Sequence, residues 1–432
     1  MKLDIVNGTV VTGDGKSILE NTSVVIKDCL IEGLPKLRYI PYNAYTNRVI
    51  DANGGLIIPG VINLHAHGVS FGPFFPYGWE ALPVDRILNN LNRHLLQGTT
   101  TIVNADGFAL PAEIDAINKI HPVNVKMCTI HTPKNFRVSE ILLGHPLREW
   151  NRKFTAEEAM AVGAVAIGEV GSPGTSYGTY EKSLRVGKSI SAQLAKALDK
   201  AVLSNDEAAT RKILADLGLE KMTIDEAKKL VEETSVIPVA ACCDAIIESI
   251  DYHKKLGLPV IAHTEPGMKE AMLEAAKAIG PNLVATHVNH SFTPEESVQL
   301  AKQLRSYGAI VEVITADFFS AKQVETSPEG TFALLKEGLV DAMTTDFSGG
   351  YHEPILLVLQ KAIENGFLTL PQAIQMVTSY PTKVVPRVAP SSGLIEPGNV
   401  ADLCIVDKDN ISKVRYVIIG GRVVVEEGRI VV

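Results

Sequence analysis

The chain has 432 residues, of which 46% are hydrophobic and 21% are charged, a composition typical of a globular enzyme. Its length is large for one hydrophobic core, so it predicts two or three domains or a barrel enlarged by insertions. A formal charge of −8 without a basic block speaks against nucleic acid or an anionic membrane surface as a partner.

The first 50 residues have the pattern of short strands joined by turns. Asn7-Gly8 and Asp14-Gly15 are turn signals, and the run Ser23–Lys27 has the β-branched character of a strand. A helical period is not evident here. Residues 1–55 are therefore predicted to form the first part of a β domain.

The apolar run that begins at Val61 ends in His65 and His67, two histidines separated by one residue. Strand side chains alternate between faces, so both imidazoles should point into one space at the end of the strand. Neutral imidazole suits zinc, iron and nickel. Two histidines alone are a weak signal, and further ligands at later strand ends would be needed to make it strong.

Seven more apolar runs follow, separated by helix-like segments, in the pattern of a parallel (β/α)₈ barrel over residues 56–386. They are Thr99–Asn104, Val125–Ile130, Val162–Ile167, Pro259–His263, Leu283–His287, Ala309–Ile314 and Val340–Thr345. Strands buried on both faces should be nearly continuous apolar runs, and most of these are.

A helical insertion is predicted at about residues 172–240, since this interval is longer than one crossover needs. A Gly/Ser/Pro/Tyr loop is followed by three helical segments that begin near Ser191, Asp206 and Thr223, all good capping residues. The insertion is either a lid on the active face or an oligomer interface, and sequence does not separate the two.

The β pattern returns after about residue 386. Ala401–Asp407 and Val414–Ile419 are predicted strands, and Gly420-Gly421 is a hairpin signal. Neither end of the chain can bury a core alone. Residues 387–432 should therefore pair with residues 1–55 in one small β-sandwich domain.

The carboxyl ends of the predicted barrel strands carry a set of metal-ligating side chains. Barrel active sites lie at this end of the strands. Each of these residues alone has an ordinary structural explanation, but six at one rim are difficult to arrange by chance. They are His65, His67, Glu169, His263, His287 and Asp346.

These residues give the chain a resemblance to the amidohydrolase superfamily, whose pattern is H-x-H, a bridging Lys or Glu, two single histidines and an aspartate at successive strand ends. Pro59-Gly60 and the run 392–403 also match, and the resemblance spans the chain apart from the insertion. The segments Ile167–Gly171, His263-Thr264 and Thr286–Asn289 resemble enamidase and other cyclic amidohydrolases of the Glu-bridged binuclear type. Asn63, where an Asp often stands, departs from the pattern.

The resemblance implies two divalent metal ions per chain, with zinc favoured and iron or manganese as alternatives. His65 and His67 would hold one ion, His263 and His287 the other, and Glu169 would bridge them without a CO₂ adduct. A bridging hydroxide would attack a non-peptide C–N amide bond, in a small cyclic amide, with Asp346 as general base and then general acid.

Other residues are weaker candidates. His131 follows the third strand and is predicted to be catalytic, whereas Lys134 and Arg137 either meet a substrate carboxylate or are surface charge. The aromatic loop Phe71–Trp79 is predicted to wall a pocket or to pack under the insertion. His290 and His352 follow ligand positions and are candidates to support the ligands.

Two other functions are compatible with this fold: deamination of a nucleobase-like ring, and a non-catalytic scaffold, which the six filled positions disfavour. Five scattered cysteines, no signal-peptide core at the start and no long apolar run predict a cytoplasmic protein without a membrane partner. The partners predicted are a small-molecule substrate and further copies of the chain, in a dimer or tetramer.

Overall fold

The computed structural model describes residues 2–36, 47–143, 147–174, 176–316, 328–346 and 352–432. Over those ranges, no helix combines the length and the apolar character needed to span a bilayer.

Seventeen strands lie in the described residues. In chain order they are β1 (Lys2–Val11), β2 (Ile18–Lys27), β3 (Leu30–Gly33), β4 (Asn47–Asp51), β5 (Leu56–Pro59), β6 (Val61–Ala66), β7 (Thr99–Asn104), β8 (Asn124–Met127), β9 (Ile167–Val170), β10 (Val260–Ala262), β11 (Leu283–Ala285), β12 (Ile310–Ile314), β13 (Ala342–Thr344), β14 (Leu403–Val406), β15 (Val414–Ile419), β16 (Arg422–Glu426) and β17 (Arg429–Ile430).

Sixteen α-helices connect them in the same ranges. They are α1 (Val84–Leu96), α2 (Pro111–Ile120), α3 (Pro133–Leu143), α4 (Glu149–Lys153), α5 (Ala156–Ala161), α6 (Thr179–Val186), α7 (Ala192–Leu203), α8 (Glu207–Asp216), α9 (Ile224–Val231), α10 (Ile237–Leu256), α11 (Lys269–Ile279), α12 (Pro294–Ser306), α13 (Pro328–Lys336), α14 (Ile355–Glu364), α15 (Leu370–Met376) and α16 (Ser379–Val384).

Both ends of the chain meet in one nine-stranded sheet, as predicted. Its order is β17-β16-β15-β14-β5-β1-β2-β3, with β4 also paired to β1. The join is the antiparallel pairing of β14 with β5, where Cys404 lies opposite Ile58. Ile5 and Ile26 from the first part share a core with Leu403 and Ile418 from the second.

The strand β5 pairs with β1 and β14 and so belongs to this terminal sheet, although it lies past the predicted boundary at residue 55. The predicted division into residues 1–55, 56–386 and 387–432 stays a prediction.

The strands β6 to β13 are parallel and form the predicted barrel, in two sheets of three and five strands. A parallel bridge between Thr129 and Ile167 joins the two sheets at one seam. At the other seam Asp346 N donates to His65 O at 3.0 Å, and Thr345 N donates to Asn63 Oδ1 at 3.3 Å. The barrel is therefore closed on itself.

Side chains that alternate along the strands fill the barrel interior. Ile62, Leu64, Val103 and Ile261 form one buried cluster with Val385, from the segment after α16. The chain between α15 and α16 lies at the beginning of the strands, because Ile62 N, near the start of β6, donates to Val377 O at 2.8 Å. The opposite, carboxyl end is where the polar groups described below collect.

The insertion forms a small helical unit with its own core. The side chains of Ser191, Asp206 and Thr223 accept hydrogen bonds from backbone N–H groups three residues later, so the predicted caps are confirmed. A π-helical turn over Glu232–Val236 leads into α10. The apolar cluster of the unit consists of Leu198, Val202, Leu214, Ala227, Leu230 and Val231.

Candidate metal centre

The six predicted ligand residues come together at the carboxyl end of the barrel. His65 lies in β6 and Glu169 in β9, and the other four lie one or two residues past the ends of strands. Five of the six are at least nine-tenths buried. Asp346 is the exception, with 23% of its side chain exposed, and it is therefore the group most open to a substrate.

The first group consists of His65, His67 and Asp346. The two Nε2 atoms are 3.3 Å apart, and Asp346 Oδ1 lies 3.5 Å from that of His65 and 3.3 Å from that of His67. The i, i+2 spacing along β6 thus has the predicted effect of aiming both imidazoles at one point.

The second group consists of Glu169, His263 and His287. Glu169 Oε1 lies 2.8 Å from His263 Nδ1 and 3.1 Å from His287 Nε2. Its other oxygen, Oε2, lies 3.4 Å from His67 Nε2 and 3.7 Å from His65 Nε2. Each carboxylate oxygen therefore faces one group, which is the arrangement of a bridging ligand.

These donors fit divalent cations in type and in spacing. Donors about 2.0–2.1 Å from a tetrahedral zinc ion lie about 3.3–3.4 Å from one another, and the first group is held at 3.3–3.5 Å. Imidazole nitrogen with carboxylate oxygen is a donor set suited to zinc, iron or manganese.

The backbone is strained at two of these positions. His287 has φ 38° and Asp346 has φ 45°, both in the left-handed region that side-chain-bearing residues rarely adopt. Such conformations cost on the order of 1–3 kcal/mol each and persist where surrounding contacts enforce them, often at functional sites. The barrel seam at Asp346 N supplies such a contact.

The charged groups of the centre favour the binding of a cation. Burial lowers the pKa of His65, but Asp346, Glu312 and Glu169 outweigh it and raise the pKa to about 10. Burial raises the pKa of Asp346, yet His65, His67 and His287 bring it down to about 2. The carboxylates thus favour a positive charge at His65, and divalent ions would supply that charge in place of a proton.

Two buried carboxylates behind the first group were missed by sequence reasoning. Asp106 Oδ1 lies 2.9 Å from His67 Nδ1, and Glu312 Oε1 lies 3.2 Å from His65 Nδ1. Each therefore fixes the ring and directs its Nε2 atom to the centre. One signal was available, because Glu312 is a fully buried acid in the middle of the apolar strand β12.

His131 is surrounded by aromatic rings. It packs edge-on against Phe108, Phe136 and Phe154, with ring centroids 5.1–6.2 Å away, and its Nδ1 lies 2.9 Å from Thr129 Oγ1. Burial lowers its pKa to about 3, so the ring is neutral. The contacts describe a packed residue, and its catalytic role stays a prediction.

Neither predicted cation points to the centre. Lys134 Nζ is paired with Asp244 at 3.1 Å, and Arg137 lies 3.8 Å from Glu140 with 64% of its side chain exposed. This geometry favours the surface-charge interpretation of both residues.

The two histidines proposed to support the ligands have different surroundings. His290 packs against the ring of His287, with centroids 5.7 Å apart. His352 instead stacks on His94, with centroids 4.8 Å apart, and hydrogen-bonds to Gln97 at 2.8 Å. His290 therefore contacts one of the six ligand candidates.

Comparisons with known proteins agree with this architecture. Residues 56–424 match the model of the Amidohydrolase family. A dihydroorotase of Pelotomaculum thermopropionicum is 24% identical over 95% of this chain and 90% of its own length. An imidazolonepropionase of Acinetobacter baumannii is 23% identical over 93% and 91%. The crystal structure of enamidase superposes with a TM-score of 0.59 at 18% identity, over 99% of this chain and 97% of the other.

Proposed function

The chain belongs to the amidohydrolase family, and on that premise we propose that it cleaves the amide C–N bond of a small cyclic amide with the help of two divalent metal ions. The family match confirms the predicted class of hydrolase acting on carbon–nitrogen bonds other than peptide bonds. The cyclic substrate is proposed because the dihydroorotase, imidazolonepropionase and enamidase relatives span nearly the whole chain.

One observation carries the proposal: the two oxygens of Glu169 face two separate groups of buried donors. His65, His67 and Asp346 would hold one ion, and His263 and His287 the other. When bound, such a pair activates water as a nucleophile near neutral pH and polarises a carbonyl oxygen.

The role of Asp346 follows from its position. Its carboxylate is the most exposed of the six groups, and its oxygen lies within 3.5 Å of both Nε2 atoms of the first group. As a water oxygen bonds to the carbonyl carbon, Asp346 accepts the proton. It then delivers that proton to the ring nitrogen as the C–N bond breaks and the electron pair returns to nitrogen. The net change is the addition of one water.

Zinc is our proposal for the resident metal, because four N and O donors at this spacing suit it, with iron and manganese as alternatives. A cytoplasmic location and a dimer or tetramer remain predictions from the sequence.

The proposed function is tested by a mass-spectrometric screen with metal-free and zinc-reloaded enzyme. The panel holds lactams, imides, hydantoins and aminopurines. We expect activity only after reloading, and a product heavier than its substrate by one water. A product in which oxygen replaces nitrogen would establish deamination instead.

The Asp346→Asn variant should retain fold and lose turnover by about 10²–10⁴-fold, because the proton shuttle is removed. The control is Asp251→Asn on α10, an aspartate with 85% of its side chain exposed, which should match wild type. Undiminished turnover by Asp346→Asn would refute the assignment of the base.

A further inference from the structure

An unbroken row of aromatic rings runs from a ligand candidate to the insertion. Phe75 lies against His67 with ring centroids 5.0 Å apart, and Tyr77 stacks on Phe75 at 5.0 Å and 17°. Trp79 packs edge-on against Tyr77 at 5.1 Å and contacts Tyr180 of α6 at 5.8 Å. The predicted aromatic wall is therefore attached at both ends.

Asp106, the residue that orients His67, also contacts this row of rings. Asp106 Oδ1, which lies beside His67 Nδ1, also accepts a hydrogen bond from Phe75 N at 2.8 Å. Phe75 adopts φ 62°, a left-handed conformation that this contact helps to enforce. The position of the ring of Tyr77 is thus determined by the residue that orients a ligand.

The hydroxyl of Tyr77 lies beside the loop that follows β9, the strand that carries Glu169, and it makes no hydrogen bond to the described part of the chain. Tyr77 is only 4% exposed. A Cβ atom placed on Gly174, in the loop after β9, would lie 3.8 Å from Tyr77 Oη and 2.8 Å from Glu181 Oε1. Buried hydroxyl groups normally have a partner, so one without any is a candidate to bind a ligand.

The charges around Tyr77 keep its hydroxyl a donor. Burial, together with the carboxylates of Glu181, Glu169 and Asp346, raises the pKa of Tyr77 well above its usual value. The proton therefore stays on oxygen at every pH at which the enzyme would work, and the group can offer it to an acceptor.

We propose that the Tyr77 hydroxyl donates a hydrogen bond to an oxygen or nitrogen atom of the bound substrate, with the ring row as the wall on which the substrate lies. This inference rests on the proposed function, because it places the substrate at the metal centre. Under this proposal, Tyr77 determines the affinity for the substrate. The insertion would influence substrate specificity, because Tyr180 contacts Trp79 and Trp79 contacts Tyr77.

The test uses zinc-loaded enzyme and the panel member that wild type hydrolyses fastest. Tyr77→Phe keeps the ring stack and removes only the hydroxyl. We expect its kcat/KM to fall about 10-fold, mainly through KM, with unchanged zinc content and melting temperature. Tyr77→Leu, which also removes the ring, should lose more.

A second readout does not depend on turnover. In the inactive Asp346→Asn background, calorimetry should show that the same amide binds about 10-fold more weakly when Tyr77→Phe is added. The control is Tyr307→Phe, a tyrosine with 41% exposure whose ring faces Lys277, and it should leave both constants unchanged.

The outcomes separate the two proposals. If wild type hydrolyses a panel member and Tyr77→Phe has the same kcat/KM and affinity, Tyr77 only packs and the inference is wrong. If Tyr77→Phe loses zinc or stability, the residue has a structural role and the inference is likewise wrong. If wild type hydrolyses none, the proposed function fails, and the inference fails with it.

Discussion

The carboxylate of Asp106 connects a ligand candidate, His67, to the aromatic loop that follows it. It accepts hydrogen bonds from Phe75 N at 2.8 Å and Gly68 N at 3.1 Å, and it lies 2.9 Å from His67 Nδ1. An amide in its place would turn an NH₂ group toward one of these donors. Asp106 therefore positions both a ligand and the aromatic wall.

We predict that Asp106→Asn lowers zinc affinity about 10–100-fold, since the ring of His67 loses the partner that orients it. Glu312→Gln should have a smaller effect of the same sign, because Thr344 Oγ1 also holds that carboxylate at 2.9 Å. Competition with a chelator measures both affinities. Asp85→Asn, an exposed aspartate in the first turn of α1, is the control. Wild-type affinity in Asp106→Asn would contradict this account.

At the scale of single residues, the strand-end ligand candidates were predictable and their supports were not. A histidine or acid that directly follows an apolar run is visible in the sequence. Asp106 and Glu312 support histidines on other strands. Their contacts therefore depend on the register of the strands and on the closure of the barrel, which the sequence does not give. The contacts of Tyr77 depend on the conformation of a loop. A loop has no hydrophobic periodicity from which its conformation could be predicted.

At the scale of elements, a buried polar cluster links the helices of the insertion in addition to its apolar core. Lys182 Nζ lies 2.9 Å from Asp199 Oδ1 and donates to Ser235 Oγ and Tyr177 O, both at 2.6 Å. These contacts tie α6 to α7 and to the π-helical turn. They also fix the beginning of α6, whose Tyr180 meets Trp79 at the active face. The choice between a lid and an oligomer interface stays a prediction.

We predict that Lys182→Met destabilises the insertion by about 3–5 kcal/mol, because it leaves Asp199 buried without its cation. The double variant Lys182→Met/Asp199→Leu should recover most of this loss, since no buried charge remains. Amide hydrogen exchange in α6 and α7 is the measurement, and Lys200→Met on the exposed side of α7 is the control. Wild-type protection in the single variant would show that the cluster is dispensable.

The helices and strands whose ends carry a characteristic residue, such as a helix cap, were predicted most accurately. The three capped helices of the insertion begin where Ser191, Asp206 and Thr223 indicate. The ends of strands were less accurate: β10, β11 and β13 stop before His263, His287 and Asp346. The chain leaves the sheet at these points, and this change of direction places the side chains in the centre. Residue composition alone does not predict where a strand ends.

At the scale of the whole molecule, the fold brings together groups that are far apart in the sequence. The seam between β6 and the segment after β13 places Asp346 beside His65, and the sheet built from both termini packs its two parts into one core. The sequence predicted both features through the order of its strands. Contact between the aromatic loop and the insertion was only one of two alternatives in the sequence, because tertiary packing decides which of them forms.

The central claim is that six side chains hold two divalent ions bridged by Glu169. Anomalous diffraction at the zinc edge, from crystals of the reloaded enzyme, tests it most directly. We expect two peaks about 3.5–4 Å apart, one beside His65, His67 and Asp346 and the other beside His263 and His287. Peaks elsewhere, or no bound zinc with manganese and iron also failing to bind, would contradict the account.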